Sequence, residues 1–298
     1  MDRAAVQQVR LFNRTVAERI GALTDEFLGR HRPMGNSRTL WEIGPEGAEV
    51  RTLRSRLGLD SGYASRVLAS LEREGLITIT ASRDDRRVRV ARLTAAGRAE
   101  RAELDRRADA LAWSLLEPLP ARQREELLNA AATVERLLRS TLVTIDVESP
   151  STPDARSCIQ QYFLELNERF DVGFDPARSI SATERELVPP AGLLVVARLG
   201  GRPIGCGALK FHGRKPTELK RMWVARDARG LGLGRRLLAD LERRAFDAGA
   251  RTVRLETNRN LKEAIQLYRD SGYREVKPFN DEPYAHHWFE KRLTRKAR

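Results

Sequence analysis

The sequence has few of the features that mark a secreted, membrane or metal-binding protein. It contains two cysteines in 298 residues, Cys158 and Cys206, too few for a disulfide framework and without metal-ligand spacing. No apolar run approaches the roughly 18 residues of a membrane span, and no signal-peptide pattern is present. We therefore expect a soluble cytoplasmic protein without a metal, in which both cysteines are buried and reduced.

Lysine is absent from residues 1–142, whereas arginine is abundant there. Those residues carry 25 arginines and 20 acidic side chains, a net charge of +5, and the remainder carries +8 of the total of +13. A basic balance favours polyanion partners such as DNA or a phosphorylated cofactor, with a solvated basic surface as the alternative. The length favours two domains, which we place at 1–142 and 143–298.

The first half has the apolar spacing of helices, with a two-helix unit in its middle. Apolar residues three or four apart predict a long helix from Val6 to Leu28, and Gly35-Asn36-Ser37 is expected to cap a short helix that follows. Two further helices, 49–57 and 61–74, are joined by Gly58-Leu59-Asp60. A three-residue turn with glycine is typical of a helix-turn-helix, although any antiparallel helix pair could have it.

Two alternating segments follow this unit and favour the DNA-binding interpretation. Residues 76–80 and 88–93 predict a hairpin, and the polar loop 82–87 at its tip carries three arginines. Guanidinium groups suit the narrow minor groove of DNA, and we expect Asp85 to brace one of them. The expected DNA contacts of the second helix and the hairpin tip are Ser61, Tyr63, Ser65, Arg66, Arg73, Arg83, Arg86 and Arg87.

Three segments resemble the MarR family of winged helix-turn-helix regulators. They are Glu-Arg-Glu-Gly-Leu-Ile at 72–77, Asp-Asp-Arg-Arg at 84–87 and Leu-Thr-Ala-Ala-Gly at 93–97. The resemblance implies a homodimer that binds a pseudo-palindromic operator in double-stranded DNA. Long helices predicted over 95–116 and 120–141 agree with it, because the second has a narrow apolar seam suited to a partner helix. The seam consists of Leu127, Ala131, Val134, Leu138 and Thr141.

The second half contains a glycine-rich turn between an apolar strand and a helix. The segment Arg229-Gly-Leu-Gly-Leu-Gly234 leaves backbone N–H groups free at a helix start, where the dipole favours an anion. Its spacing matches neither the dinucleotide-binding fingerprint nor a P-loop. This Arg-x-x-Gly-x-Gly turn resembles the pyrophosphate-binding motif of the GNAT N-acetyltransferases.

The order of predicted elements around the turn resembles the whole GNAT fold. Strands are predicted at 143–147, 193–199, 203–210, 218–224, 252–256 and 286–293, and helices at 157–170, 233–248 and 261–271. Leu255-Glu-Thr-Asn258 and Ala264-Ile-Gln-Leu-Tyr268 are further matches. The chain is therefore expected to be an α+β two-domain protein: a winged helix-turn-helix with long dimerisation helices, followed by a mixed α/β acetyltransferase fold.

The GNAT resemblance implies acetyl-CoA as the cofactor. The turn would hold the pyrophosphate, with Arg236 as a further candidate cation, and the preceding strand would run beside the pantetheine arm. A backbone N–H at Val224 would face the thioester oxygen. The implied cofactor-binding residues are Met222, Trp223, Val224, Arg229, Gly230, Leu231, Gly232, Leu233, Gly234, Arg235, Asn258 and Asn260.

Two side chains are candidates for the acid–base chemistry of acetyl transfer to an amine. Tyr268 matches the family's tyrosine near the cofactor sulfur, which acts as general acid, and packing against the sheet is its alternative role. Glu218 lies where some members of the superfamily carry the general base, and pairing with Lys220 or Arg221 is the alternative.

Together the two resemblances predict a transcriptional regulator that is also an N-acetyltransferase acting on a primary amine. One alternative is a DNA-binding repressor whose second half only senses acetyl-CoA or another ligand. Another is an enzyme whose winged half is a dimerisation platform. The sequence does not distinguish among small amines, amino acids, antibiotics and protein lysines as the acceptor of the acetyl group.

Overall fold

The computed structural model describes residues 2–22, 27–30, 32–82, 85–213 and 215–294. The chain divides into two compact units, Met1–Ala132 and Thr133–Arg298. The division falls inside a helix, whereas the sequence prediction places the domain boundary between 142 and 143. Within the described ranges, no helix is both long and apolar enough to cross a membrane.

The first unit consists of helices around a small antiparallel sheet. The strands, ordered β1-β3-β2, are β1 (Ala48–Glu49), β2 (Ile77–Ala81) and β3 (Arg89–Leu93). The helices are α1 (Arg3–Arg19), α2 (Met34–Glu42), α3 (Val50–Leu57), α4 (Ser61–Arg73), α5 (Ala95–Leu116) and α6 (Ala121–Thr141), the last of which continues into the second unit. The predicted hairpin is therefore present as β2 and β3, with β1 added at its edge.

Helices α3 and α4 form the predicted helix-turn-helix. Gly58 ends α3 in the left-handed conformation (φ 64°), and Asp60 caps α4 by accepting a 2.8 Å hydrogen bond from the Tyr63 N–H. The apolar face of α4 is buried against α2 and the sheet, where Leu40 and Leu71 are fully enclosed. This packing holds α4 with its polar face outward.

Two helices of this unit differ from the sequence prediction. The first ends at Arg19 rather than Leu28, because Gly21 adopts a left-handed conformation (φ 66°) that an α-helix does not continue through. The segment Gly35-Asn36-Ser37 lies inside α2 rather than capping it. A Cβ at Gly35 would stand 2.3 Å from the Tyr63 hydroxyl oxygen, so glycine there permits close packing of α2 against α4.

The second unit is a mixed sheet covered by helices on both faces. Its strands, ordered β4-β5-β6-β7-β8-β10-β9, are antiparallel to their neighbours except for the parallel pair β7 and β8. They are β4 (Val143–Glu148), β5 (Gly192–Leu199), β6 (Arg202–Lys210), β7 (Thr217–Val224), β8 (Thr252–Thr257), β9 (Arg274–Val276) and β10 (His287–Arg292). The helices are α7 (Pro153–Arg169), α8 (Leu233–Asp247) and α9 (Lys262–Asp270).

Two apolar clusters cover the two faces of this sheet. One includes α8 and α9, and the other includes α7. Strand β5 contributes Val195 to the first and Val196 to the second, because successive side chains of a strand point to opposite faces. Cys158 and Cys206 are buried free thiols in the second cluster, which confirms the prediction for both cysteines.

The sheet opens between its two parallel strands. Thr217 pairs with Val253 and Glu218 with Arg254, and in the described strands no further pair joins β7 to β8. Beyond that point β7 stays paired with β6, and its other edge is open. Helix α8 connects the two parallel strands, so the glycine turn that begins α8 lies beside this opening.

Candidate functional site

The glycine turn has the backbone geometry of an anion site. Gly230 and Gly232 have positive φ values of 82° and 71°, and Gly232 is the N-cap of α8. The first N–H groups of α8 have no acceptor one turn earlier, and the helix dipole is positive there. A Cβ at Gly232 would meet nothing within 4 Å, so the space in front of these donors is open. A pyrophosphate group fits this site.

A groove of about 520 Å³ runs from the turn along the open edge of β7. The predicted cofactor residues that line it are Met222, Trp223, Val224, Arg229, Gly230, Gly232, Leu233, Gly234 and Arg235. Leu231 packs instead against the apolar core below the turn. The groove therefore combines an anion site at one end with an unpaired strand edge, as a long phosphate-bearing cofactor requires.

Two arginines of the turn differ in their surroundings. Arg235 is 70% exposed and lies 3.7 Å from the Asp270 carboxylate, a surface pair that leaves its guanidinium accessible to a phosphate. The Arg229 guanidinium donates to the Glu165 carboxylate at 2.5 Å and to the Val224 carbonyl oxygen at 3.2 Å. Burial would raise the pKa of Glu165, but Arg229 holds that pKa below its usual range. Arg229 thus stabilises the turn against both α7 and β7.

Three other candidates for the cofactor lie outside this groove. Arg236 donates to backbone carbonyl oxygens at the junction of α6 and β4. The Asn258 amide donates to the Tyr284 carbonyl oxygen, and the Asn260 amide to that of Arg169, each at 2.8 Å. Their amide groups hold the surrounding loops together, and neither asparagine lines the groove.

A smaller cavity of about 100 Å³ adjoins the groove, and Tyr162, Met222 and Tyr268 line both. Tyr268 is 5% exposed, and its ring packs 5.8 Å from that of Tyr273 and 6.1 Å from that of Phe289. Tyr268 therefore packs on the sheet, which is the alternative role expected from sequence, and also stands at the junction of the two spaces. Burial raises the pKa of the Tyr268 phenol, so it keeps its proton at neutral pH.

Glu256 is a functional candidate that the sequence analysis did not identify. It lines the smaller cavity, and its side chain is only 9% exposed. One carboxylate oxygen accepts a hydrogen bond from the Lys220 ammonium, and the other, Oε2, is buried with no hydrogen-bond partner among the described residues. Its negative charge contributes to the raised pKa of Tyr268, so the two groups lie near each other. A buried oxygen without a partner beside a cavity is a place for a ligand donor.

Glu218 lies in an ion cluster and lines neither the groove nor the smaller cavity. Its carboxylate is 2.7 Å from Arg254 and 3.3 Å from Lys220. Burial would raise the pKa of Glu218, but Lys220 and Arg254 hold it below its usual range. The structure thus shows the pairing with Lys220 that the sequence analysis gave as the alternative role.

The signal for Glu256 lies in the alternation of β8. Val253, Leu255 and Thr257 are buried, whereas the residues between them are half-buried and belong to the other face. Glu256 is on that face near the carboxyl end of β8, one of the two parallel strands of the mixed sheet, and sites in α/β folds form at the carboxyl ends of parallel strands. Sequence spacing could have shown the alternation, but not that β7 and β8 diverge at this point.

The predicted DNA-contact residues of α4 form one outward face. Ser61, Tyr63, Ser65, Arg66 and Arg73 are all exposed. The Arg66 guanidinium lies 5.9 Å from the centre of the Tyr63 ring. The face therefore offers hydroxyl groups, one aromatic ring and two cations.

The hairpin tip adds further exposed arginines. Arg86 is exposed, and Arg87 is 91% exposed. The Asp85 carboxylate accepts hydrogen bonds from the Arg87 N–H at 2.9 Å and from its Nε at 3.2 Å, which confirms that Asp85 braces an arginine. This contact lowers the pKa of Asp85. Arg83, the remaining predicted contact, lies outside the described residues.

Helices α1 and α6 carry apolar side chains that the described chain leaves uncovered. Neither helix has a buried residue. The large apolar residues exposed on them are Val6, Val9, Leu11, Phe12 and Val16 on α1, and Leu127, Leu128, Leu137 and Leu138 on α6. Leu127 and Leu138 belong to the predicted seam. Apolar surface of this extent is typical of an interface.

An open mixed sheet with an anion-binding turn at the junction of its parallel strands is typical of coenzyme A-dependent acyltransferases. The Acetyltransferase (GNAT) family model matches residues 159–273, and the MarR family model matches residues 33–88. An IAA acetyltransferase from Azospirillum brasilense is 36% identical over 145 residues, which are 48% of this chain and 90% of that protein. The N-alpha-acetyltransferase RimI of Mycobacterium tuberculosis is 35% identical over 126 residues, 41% of this chain and 74% of that protein.

A solved structure of a probable transcriptional regulator from Pseudomonas aeruginosa is 25% identical to this chain. The match covers 43% of this chain and 96% of that one, with a TM-score of 0.37. The chain belongs to the GNAT family of acetyltransferases, and a MarR segment is fused to its GNAT segment. It is an acetyl-CoA-dependent N-acetyltransferase.

Proposed function

We propose that this chain is a bifunctional cytoplasmic protein, a homodimeric operator-binding regulator that also acetylates a primary amine. The observation that carries the enzymatic part is the junction at Tyr268, where a groove suited to acetyl-CoA meets a separate cavity containing Glu256. The cytoplasm is the compartment in which DNA and acetyl-CoA are both available. We place the regulator in residues 1–142 and the transferase in residues 143–298.

The groove would hold acetyl-CoA through backbone donors and exposed cations. The N–H groups of Gly232 to Arg235 would face the pyrophosphate, and Arg235 would add charge from an exposed side chain. The open edge of β7 can pair with the amide groups of the pantetheine arm as an added strand does. When bound, acetyl-CoA supplies an activated thioester, whose oxygen a backbone N–H such as that of Val224 would polarise.

Glu256 and Tyr268 would move the protons of the reaction. The amine must be neutral to react, and the unpartnered Oε2 of Glu256 can accept the proton of an ammonium group in the cavity, directly or through water. Lys220 holds the other carboxylate oxygen and so fixes the orientation of the group. The Tyr268 hydroxyl keeps its proton at neutral pH and can donate it to the departing thiolate. Glu218 is engaged by Arg254, so we assign the base to Glu256.

The regulatory part of the proposal is supported by two exposed surfaces of the winged helix-turn-helix segment. The polar face of α4 and the arginines of the hairpin tip present cations and hydroxyl groups of the kind that contact phosphates and base edges. The uncovered apolar residues of α1 and α6 supply a surface that a second copy of the chain can bury. A two-fold dimer explains a pseudo-palindromic operator.

Two glutamate variants test the enzymatic part and decide between two candidate bases. Glu256→Gln is expected to lower kcat/KM for acetyl transfer about 100- to 10,000-fold, the usual range for a general base. Glu218→Gln changes a buried carboxylate that shares Lys220 but lines neither space, so its loss should be much smaller. The assay follows free thiol release from acetyl-CoA with a panel of amines. Equal losses in the two variants would contradict the assignment of Glu256.

DNA binding separates the bifunctional proposal from its alternatives. Full-length protein should bind a labelled fragment of its own upstream DNA with an affinity that falls steeply with salt. Absence of such binding with turnover intact favours an enzyme whose winged half only dimerises. Binding with no thiol release from any amine, although acetyl-CoA still binds, favours a sensor.

A further inference from the structure

Arg221 lines the small cavity and has an unusual backbone conformation. It has a φ of 55°, the left-handed conformation that residues other than glycine rarely adopt. The pairing of β6 with β7 explains this conformation, because Arg221 and Met222 together stand opposite the single residue Gly207, a β-bulge. Bulges redirect side chains, and strained residues concentrate at binding sites. The bulge turns the chain just before the strand edge that lines the groove.

The Arg221 guanidinium has no carboxylate partner among the described residues. It donates to the Ala182 carbonyl oxygen at 2.5 Å and lies 5.2 Å from the centre of the Phe163 ring, and its Nε is buried without a hydrogen-bond partner. Glu184 attracts the Arg221 guanidinium only from beyond ion-pair distance. The main influence on the pKa of Arg221 is burial, and burial lowers this pKa. This cation is therefore partly desolvated and unpaired.

The other charged groups of the small cavity are already satisfied or assigned. Lys220 contacts both Glu218 and Glu256. Glu282 accepts hydrogen bonds from the Ser179 hydroxyl at 2.9 Å and the Ile180 N–H at 2.6 Å. Arg221 is thus the cation of this cavity whose charge the described chain leaves unbalanced.

Arg221 also lines a second space, which has no lining residue in common with the acetyl-CoA groove. It lines a pocket of about 480 Å³ together with Phe174, and both residues line the small cavity as well. A ligand in the cavity could therefore contact both Tyr268 and Arg221, because both residues line it. Buried charges are normally paired, and the planar fork of arginine matches a carboxylate in a bidentate manner.

We infer that the acceptor is a free amino acid or a similar amine that carries a carboxylate, with its amino group at Glu256 and its carboxylate on Arg221. This inference rests on the proposed function. Phe170, Phe174 and Tyr284 contact one another beside the cavity, with ring centres 5.0 to 5.8 Å apart, and favour an apolar or aromatic side chain. Protein lysines and polycationic antibiotics lack the acidic group that Arg221 requires.

Matched amines test the inference with the full-length protein. The pairs are L-phenylalanine with phenethylamine and L-tryptophan with tryptamine, which differ by the carboxylate alone. Thiol release from acetyl-CoA gives kcat and KM for each. Wild-type protein should prefer the amino acid of each pair.

Arg221→Gln should lower kcat/KM for the amino acids about 10- to 100-fold, which is the range for a lost charge-assisted hydrogen bond, and the change should arise mainly from a higher KM. Arg221→Lys should retain part of the preference.

A surface arginine provides the control. Arg243 on α8 is 57% exposed and pairs with Asp240 and Asp247, so Arg243→Gln should leave every constant unchanged. A wild-type preference for the decarboxylated amines overturns the inference, as does an equal loss for both members of a pair in Arg221→Gln. If the protein acetylates only amines without a carboxylate, the inference is wrong but the proposed function stands. If the protein binds acetyl-CoA but acetylates no amine, the proposed function itself is wrong. If Arg221→Gln does not fold, the wild-type preference and Arg221→Lys still decide.

Discussion

Placing an aspartate in the glycine turn tests whether that turn holds a pyrophosphate. Gly232 is the N-cap of α8, and a side chain there would point into open space, since no atom lies within 4 Å of its ideal Cβ position. In Gly232→Asp the new carboxylate would occupy the space in front of the helix N-terminus. We expect acetyl-CoA binding to be lost while the fold is retained.

The size of the loss follows from Coulomb's law. Two unit charges about 4 Å apart repel by roughly 4 kcal/mol at an effective dielectric of about 20, as is usual near a protein surface. That energy corresponds to roughly a 1,000-fold weaker affinity. The φ of 71° at Gly232 adds backbone strain of about 1 kcal/mol, which acts on folding rather than on binding.

Gly249→Asp is the matched control because it makes the same change at the other end of α8. Gly249 has a φ of 94° and equally open surroundings. The helix dipole favours an aspartate at 232 and disfavours one at 249, so the control should unfold at least as easily in thermal denaturation. Calorimetric titration with acetyl-CoA gives the affinities. Binding within threefold of wild type in Gly232→Asp, or an equal loss in Gly249→Asp, would refute the assignment.

Three further outcomes are expected. Tyr268→Phe should lower kcat about 100- to 10,000-fold with unchanged acetyl-CoA affinity. Tyr273→Phe changes a neighbouring ring that lines neither the groove nor the smaller cavity, so it should leave kcat unchanged. Because burial raises the pKa of Tyr268 above its ordinary 10, the wild-type rate should show no alkaline fall below that pH. Arg87→Ala should weaken DNA binding at every sequence and reduce the slope of log affinity against log salt by about one, as measured by fluorescence anisotropy. Leu138→Glu should yield monomers in light scattering, unlike Val172→Glu at a more exposed position outside α6.

Local patterns were sufficient to predict the elements and the glycine turn. The sequence pattern predicted α5 with its bounds unchanged and α6 to within one residue, because a helical pattern that continues over many turns gives a strong signal. The hairpin tip was predictable because alternating strands and a polar loop are adjacent in sequence. The two wrong helix predictions have different causes. Helix α1 ends early because Gly21 adopts a left-handed conformation, which is a local effect. The segment Gly35-Asn36-Ser37 was predicted to cap a helix, yet Gly35 lies within α2 because it packs closely against the distant Tyr63.

The candidate base could not be chosen from sequence. Glu218 and Glu256 both lie on the parallel strands and both contact Lys220. They differ because Arg254 pairs with Glu218, whereas one oxygen of Glu256 stays without a partner beside the cavity. The register of β7 against β8 and their divergence after Glu218 create this difference.

The sequence alone determined the two-part organisation, the turn of alternating glycines and the tyrosine that follows it, because each depends on residues close together in the chain. Tertiary structure determined which polar groups are hydrogen-bonded within the protein and which remain available to a ligand. Asn258 and Asn260 bond to loops, whereas among the described residues the Glu256 Oε2 has no hydrogen-bond partner and the Arg221 guanidinium has no carboxylate partner. Hydrogen-bond satisfaction depends on every neighbour in space, so no local pattern encodes it.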